Sequence, residues 1–384
     1  MSMEKNINLV RNMIICIFFP LYGAISVIAT WTNFQYKYPF SVSCFRFVEI
    51  ILIPILILNY VLSKPTYKNL GIYFLLLILG MYSSVKTGDH RFLFFILFLY
   101  GAINTNYKNT LKIDFIIKII IFIITILAYI VGLISDTQYQ RVGASVVRHG
   151  LGFAHPNFLG LMVMLICLEY IFLRNYNLNF VEVLIWICII EFVNKYSDTR
   201  STEIISIITL LLAFVFKFVS SSDLKKIFYK NRRLFELIPA LLAICSYLLV
   251  NNVKPGSNLY NLITTYDSSR LNIFQFYYNA VGLHLFPKAI NVLFMNSTFV
   301  GMDNTYILLL VSYGIVSLIV YVVLSMHLIK IMIDKDAFYL FLITIMLLIF
   351  GLVESTVIYP FVGFYVVTLQ RKVGQKVDSV YKGV

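Results

Sequence analysis

Charge is what this sequence has least of. Only 13% of its 384 residues are Asp, Glu, Lys or Arg, about half the roughly 25% share of a soluble domain. Hydrophobic residues make up 60%, and mean hydropathy is +0.85. A soluble fold of this length cannot hide that much apolar surface, so the solvent is read as lipid. Cysteine is sparse too, at five residues. Cys16, Cys167, Cys188 and Cys245 fall inside apolar runs and only Cys44 lies near a loop. That excludes a disulfide framework, and no CxxC or Cys/His spacing suggests a metal. No Walker loop, GxGxxG or HExxH motif occurs, so neither ATP nor a cytoplasmic nucleotide sugar is expected, and no cofactor. Internal repeats, low-complexity tracts and a soluble domain are also missing.

What is present is a series of apolar runs, near 10–32, 45–63, 70–85, 91–104, 114–135, 157–173, 180–193, 203–220, 235–251, 304–326, 337–353 and 355–370. The length accommodates about a dozen spans of about 20 residues with short connections. The expected fold is therefore all-α: a polytopic transmembrane helix bundle of about 12 spans, forming one integral membrane domain over 1–384. The first run lacks a small-x-small exit and is followed by further spans, so it reads as a signal anchor rather than a cleaved signal.

The net charge of +13 would point to nucleic acid in a soluble protein. Here the excess belongs to the loops that insertion keeps cytoplasmic, and no nucleic-acid partner is expected. With the N-terminus inside, most Lys and Arg fall on inner segments. The densest cluster is Lys225, Lys226, Lys230, Arg232 and Arg233. Both termini are then cytoplasmic. Two outer segments stand out, Asp136 to Asn157 and Asn252 to Asp303. The second spans about 50 residues, against about 4–6 for an ordinary connection. It is expected to be a functional extracytoplasmic loop over 252–303 carrying short amphipathic helices.

The candidate chemistry gathers on the outer side. Arg141 and the stretch from Arg148 and His149 to His155-Pro156-Asn157 come first. Proline suits the first turn of a helix, and a helix N-terminus beside two arginines and two histidines suits an anion. Interfacial snorkelling with a glycine-rich turn explains the same residues. Asn194 to Glu203 follows, with Asp198 and Arg200 at the outer start of a span. A local surface pair and helix cap is the alternative there. In the long loop, Ser268-Ser269-Arg270 precede a stripe of Leu271, Phe274, Tyr278 and Val281. The spacing predicts an amphipathic helix at the membrane surface with Arg270 in its first turn, where a guanidinium suits a phosphate. Contact with lipid headgroups is the plainer reading. Asp303-Asn304-x-Tyr306 lead into the tenth run, with Asp303 an N-cap or a general base. Glu354 interrupts the last two apolar runs, as a functional carboxylate or as part of a turn. Arginine-rich outer pockets favour an anionic ligand, most simply a diphosphate. Lys118, Glu169, Glu182 and Glu191 come nearest to intramembrane charges, and all could sit near span ends.

In the order of these features the chain resembles the O-antigen and capsular polysaccharide polymerases of the Wzy type, within the O-antigen ligase/polymerase superfamily. The resemblance rests on the stretch ending His155-Pro156-Asn157, on Ser197-Asp198-Thr199-Arg200-Ser201, on Ser269-Arg270 opening the long loop, and on Asp303-Asn304-x-Tyr306 with Gly314 after it. It covers about residues 140–320. It implies an enzyme of the bacterial cytoplasmic membrane that transfers a growing glycan from undecaprenyl diphosphate to the sugar of another lipid-linked unit, at the outer face. It further implies membrane lipid as surroundings, and a flippase and a chain-length regulator as partner proteins. Arg148, Arg200 and Arg270 would then hold the diphosphate, with no metal. Arg141, His155, Asn157, Asp198, Asn304, Tyr306 and Glu354 would bind substrate, and a carboxylate such as Asp303 or an imidazole would assist the acceptor hydroxyl. Where the ligase branch carries His before the Asn, this chain has Asp303, which favours the polymerase branch and leaves the base open. Two alternatives stand beside this reading. One is a flippase for the same lipid-linked sugars, which should show midplane charges, broken helices and related halves. The other is a ligase-type transferase to a different acceptor.

Overall fold

The computed structural model describes residues 2–102, 107–140, 146–267, 270–289 and 302–362. The described chain is helical almost throughout. In order it runs α1 (Ser2–Thr30), α2 (Phe34–Lys37), α3 (Phe40–Leu62), α4 (Tyr67–Thr87), α5 (Arg91–Gly101), α6 (Tyr107–Ile130), a hairpin of β1 (Gln138–Gln140) and β2 (Val147–His149), α7 (Pro156–Arg174), α8 (Phe180–Ser197), α9 (Arg200–Phe216), α10 (Ser221–Lys230), α11 (Arg232–Asn252), α12 (Asn258–Asp267), α13 (Arg270–Val281), α14 (Thr305–Leu308), α15 (Gly314–Asp334) and α16 (Phe338–Phe350). Antiparallel pairing sets Tyr139 opposite Arg148 in the hairpin.

Among the described residues, seven helices are long and apolar enough to cross a membrane: Leu9–Thr30, Phe40–Leu62, Tyr67–Thr87, Lys108–Ile130, Pro156–Arg174, Arg232–Asn252 and Thr305–Asp334. The expectation of about twelve spans meets shorter elements elsewhere. α5 has 11 residues and α16 has 13. At about 1.5 Å per residue each falls well short of a hydrocarbon core about 30 Å thick. Both are apolar all round and almost wholly buried by protein, from Phe92 to Leu99 and from Phe338 to Leu348, as a helix with no polar face must be. The last run, 355–370, opens as a 3-10 turn over Ser355–Ile358, and Pro360, which cannot continue a helix, follows at once. Residues beyond 362 lie outside the described set, as do Arg141, Ser268, Ser269 and Gly301.

The bundle has two chemically different ends. One carries basic side chains that tie loops together: Lys217 Nζ donates to Leu178 O at 3.0 Å, Lys225 pairs with Asp336 at 2.5 Å, and Arg232 pairs with Asp334 at 2.8 Å. At the other end lie the α4–α5 turn, the hairpin, the start of α7, the start of α13 and the Gly351–Ile358 turn. Within 252–303, the two helices α12 and α13 are present. Leu271, Phe274 and Tyr277 bury the inner face of α13, with Tyr278 and Val281 half-buried beside it.

The helix that begins at Thr305 is interrupted. Leu309–Tyr313 forms a π-turn, and Gly314 takes φ +85° before α15 continues. The freed backbone groups are taken up by the preceding loop. Ile315 N donates to His284 O at 2.9 Å, Val316 N to Leu285 O at 3.1 Å, and Lys288 N to Ser312 O at 3.1 Å. A Cβ on Gly314 would stand 2.6 Å from Leu285 O. Gly314→Ala therefore meets both an unfavourable φ and a backbone clash, together about 2–4 kcal/mol. Gly88 shares a positive φ of 70° but has open space around it, so Gly88→Ala is the control. Thermal unfolding in detergent should show a clearly larger loss for Gly314→Ala than for Gly88→Ala.

Two of the deep charges depart from expectation. Glu182 sits at the start of α8, in a capping box with Asn179 and an ion pair with Arg174, as a residue at a helix end should. Lys118 and Glu169 are not near an exposed end. They are buried together inside the bundle with Asp114, because an ammonium and a carboxylate removed from water are tolerated only when paired.

Candidate functional site

Two clusters form at the end opposite the basic loops. The first is drawn from four separate parts of the chain. α13 presents Arg270 at its first position. Arg270 Nη1 donates to Val353 O at 2.7 Å, and Nε lies 3.6 Å from Asp303 Oδ2. Glu354 follows Val353 and turns its carboxylate back on the chain, where Oε1 accepts from Ser355 N at 3.1 Å and Thr356 N at 3.3 Å. The fourth contributor is the α4–α5 turn. Gly88 closes α4 in the left-handed region, which lets Asp89 pair with Arg91 at 2.5 Å while Arg91 Nη1 reaches Ser355 Oγ at 3.3 Å. The guanidinium of Arg91 also lies over the Tyr359 ring, 5.4 Å from its centre.

Electrostatics single out the carboxylates. Burial, and behind it the negative charge of Asp303, push the Glu354 carboxyl up to about 7, against the pull of Arg270. Burial also raises Asp303 above the ordinary carboxylate range, and the charges of Arg270 and Arg91 oppose that rise. Asp89 behaves differently: burial alone would raise it, but the Arg91 charge and its hydrogen bonds hold it below the usual value. The site thus contains one firmly ionised carboxylate, and two whose proton is held near neutrality or above the usual range. Groups tuned in this way are the ones suited to proton transfer.

The second cluster surrounds Arg148. Its Nε donates to Ser197 O at 2.7 Å, its Nη2 to Asn157 Oδ1 at 2.5 Å, and its guanidinium lies 5.9 Å from the centre of the Tyr139 ring. Pro156 opens α7 as the sequence leads one to expect. His155 is the N-cap, its Nδ1 accepting from Asn157 N at 3.1 Å. That nitrogen carries no proton, so His155 here serves the helix start rather than presenting positive charge on that side. His149 pairs with Asp136 at 2.6 Å, and Asp136 also accepts from Leu151 N. Arg148 is buried and saturates two acceptors, so Arg148→Ala should cost roughly 1–3 kcal/mol for each acceptor left bare. Arg200, 59% exposed and 3.4 Å from Asp198 Oδ1, is the contrast: Arg200→Ala should change stability by only about 0.5 kcal/mol. Melting of the two purified variants checks the difference.

An aromatic row joins the clusters. From Arg91 it passes through Tyr359 to Phe361 (5.2 Å), Trp31 (5.2 Å), Phe158 (5.2 Å), His155 (6.2 Å) and Tyr139 (5.4 Å), and so to Arg148.

The structure thus sorts the residues singled out from sequence. Arg270, Asp303 and Glu354 meet. Arg148, His155 and Asn157 form a second group, and Asp198 with Arg200 remains a local pair. Asn304 and Tyr306 belong to the core. Asn304, rather than Asp303, caps α14 through Ile307 N, and its amide reaches Leu352 O at 2.8 Å. Tyr306 OH donates to buried Leu348 O at 2.9 Å. Sequence reasoning missed Asp89 and Arg91. Their signal was an acid and a base set two apart at the mouth of a short apolar run.

Beside the first cluster, a cleft of about 560 Å³ opens along the side of the bundle, lined by Leu75, Leu76, Leu79 and Tyr82 of α4, Phe286, and Val316 and Val320 of α15. No protein-family model, curated protein or solved structure matches the chain.

Proposed function

We propose that this chain is a membrane polysaccharide polymerase. It joins lipid-linked oligosaccharide units at the outer face of a bacterial cytoplasmic membrane, moving the growing glycan from undecaprenyl diphosphate to a sugar hydroxyl of the next unit. The observation that carries the reading is the meeting of Arg270, Asp303 and Glu354 at one end of the bundle, with Arg91 opposite. The basic residues of the other end favour the cytoplasm for that end, and with it the outer face for the cluster.

The chemistry follows from the groups present. The bond between the anomeric carbon and the diphosphate oxygen breaks, and the acceptor oxygen takes its place on that carbon. Arg270, freed from Asp303 by the arriving diphosphate, stabilises the charge that grows on the leaving group, with Arg91 beside it. Glu354, in its ionised form, accepts the proton of the acceptor hydroxyl. The apolar cleft between α4 and α15 gives the polyprenyl chain a course from the lipid to that end.

A second reading has specific support. The buried charges around Lys118 and the broken helix at Gly314 are features of transporters that bind cargo at mid-membrane, so a flippase for the same lipid-linked sugars remains the rival. One experiment separates them: the lipid-linked glycans of cells deprived of the chain. Single units accumulating outside, with long polymer gone, support the polymerase. Single units retained on the cytoplasmic side overturn it in favour of the flippase.

A further inference from the structure

The side chains of Asp114, Lys118 and Glu169 are between 0 and 2% exposed and lie within two of the long apolar helices, α6 and α7. Lys118 Nζ donates to Asp114 Oδ2 at 2.6 Å, to Glu169 Oε1, and to Phe361 O at 3.2 Å. One ammonium is thus set against two carboxylates. The two carboxylates close on the same Nζ, and Asp114 Oδ1 and Glu169 Oε2 are buried with no described donor facing them. α1 approaches the cluster through Gly23, where a Cβ would lie 3.5 Å from Asp114 Oδ1 and 3.1 Å from Phe361 Cβ. The cluster thus draws Asp114 and Lys118 from α6, Glu169 from α7 and a carbonyl from Phe361.

We propose that Asp114 and Glu169 hold one proton between them, making the cluster a neutral, proton-occupied site inside the bundle. Two buried carboxylates that share one ammonium cannot both ionise at ordinary cost, and one proton relieves the pair as a unit. That proton also supplies a donor where Asp114 Oδ1 and Glu169 Oε2 have none described, while Lys118 balances the remaining negative charge. Losing the proton leaves a net charge of about −1 on side chains that are 0 to 2% exposed, an outcome that burial disfavours strongly. The site also has reach. Lys118 holds Phe361, in the segment that also bears Glu354 and Tyr359, so proton occupancy is tied to the placement of that segment. The proposal rests on the charges of this cluster and not on the polymerase reading.

The test is infrared spectroscopy of the purified full-length chain in detergent at neutral pH, reading the carbonyl band of protonated carboxyl groups. A Glu49→Gln, Glu354→Gln background removes the other two buried carboxyl side chains among the described residues. Glu169→Gln and Asp114→Asn should each lower the band by one group, since the remaining carboxylate then pairs with Lys118 and ionises. Lys118→Met should instead raise it, because the second carboxyl must also protonate. Circular dichroism confirms that each variant keeps its helices. A band that neither Glu169→Gln nor Asp114→Asn lowers overturns the proposal. So does a parent protein without any such band, a result that needs no further substitution to fold.

Discussion

Replacing Arg270 by Ala should abolish long polymer and leave single repeat units on their lipid outside, in cells where the variant inserts at the normal level. The reason lies in where the guanidinium stands. In the described state it donates to Val353 O and lies farther from Asp303, on a side chain that is only 17% exposed. A diphosphate offers better geometry, since two oxygens match the guanidinium fork. Removing one such group from a site that stabilises developing charge lowers rates by about 10²–10³-fold. Arg270→Lys keeps the charge and loses the fork, and should fall between the two. The readout is the length distribution of glycan on the lipid carrier. Long polymer persisting unchanged in Arg270→Ala would make Arg270 an anchor between α13 and the 351–358 turn and remove it from the mechanism.

Glu354→Gln should lower polymerisation by about 10²–10⁴-fold, the usual contribution of a general base, and should also change the shape of the pH profile. The Glu354 carboxyl is pushed up to about 7 by burial and the neighbouring Asp303. Its ionised form is the one that accepts a proton, so the parent rate should rise as pH climbs through about 7 and level off above it. The Gln variant should lack that limb. Stability runs the other way. A raised carboxyl favours the folded state below its ordinary value of 4.5, and that contribution is lost as pH rises through about 7. The parent should therefore melt lower in alkaline than in mildly acidic buffer, and Glu354→Gln should flatten the difference. A variant with full activity and an unchanged profile would leave Glu354 as the cap of the Ser355–Ile358 turn alone.

The elements legible in the sequence were those that lipid or local backbone chemistry dictates. Apolar runs such as 114–135 and 157–173 became α6 and α7 because a backbone away from water must close its hydrogen bonds within a helix. Pro156 marked the start of α7, and Arg270 the start of α13, by the same local logic. What stayed illegible depends on distant neighbours. Asp303 was a reasonable N-cap by composition, yet Asn304 took the role, because its amide could also reach Leu352 O across the bundle. Arg91 is far in sequence from Ser355 and Tyr359, and nothing local announces that they meet. Lys118 and Glu169 looked like residues near helix ends. Only the packing of α6 on α7 shows that they neutralise each other. The 355–370 run had the hydropathy of a span, but Glu354 capping a 3-10 turn and Pro360 soon after spoiled its start.

The break at Gly314 bears on how the chain reaches this state in a cell. The amides of Ile315 and Val316 close onto His284 and Leu285, and Ser312 O accepts from Lys288. Until the 282–289 segment is in place, a polypeptide leaving the insertion machinery exposes these groups to hydrocarbon, at a cost of several kcal/mol for each. Maturation of the Thr305–Asp334 helix is therefore coupled to the segment made just before it. A truncation or delay in that segment would be felt first as an insertion defect in the helix that follows.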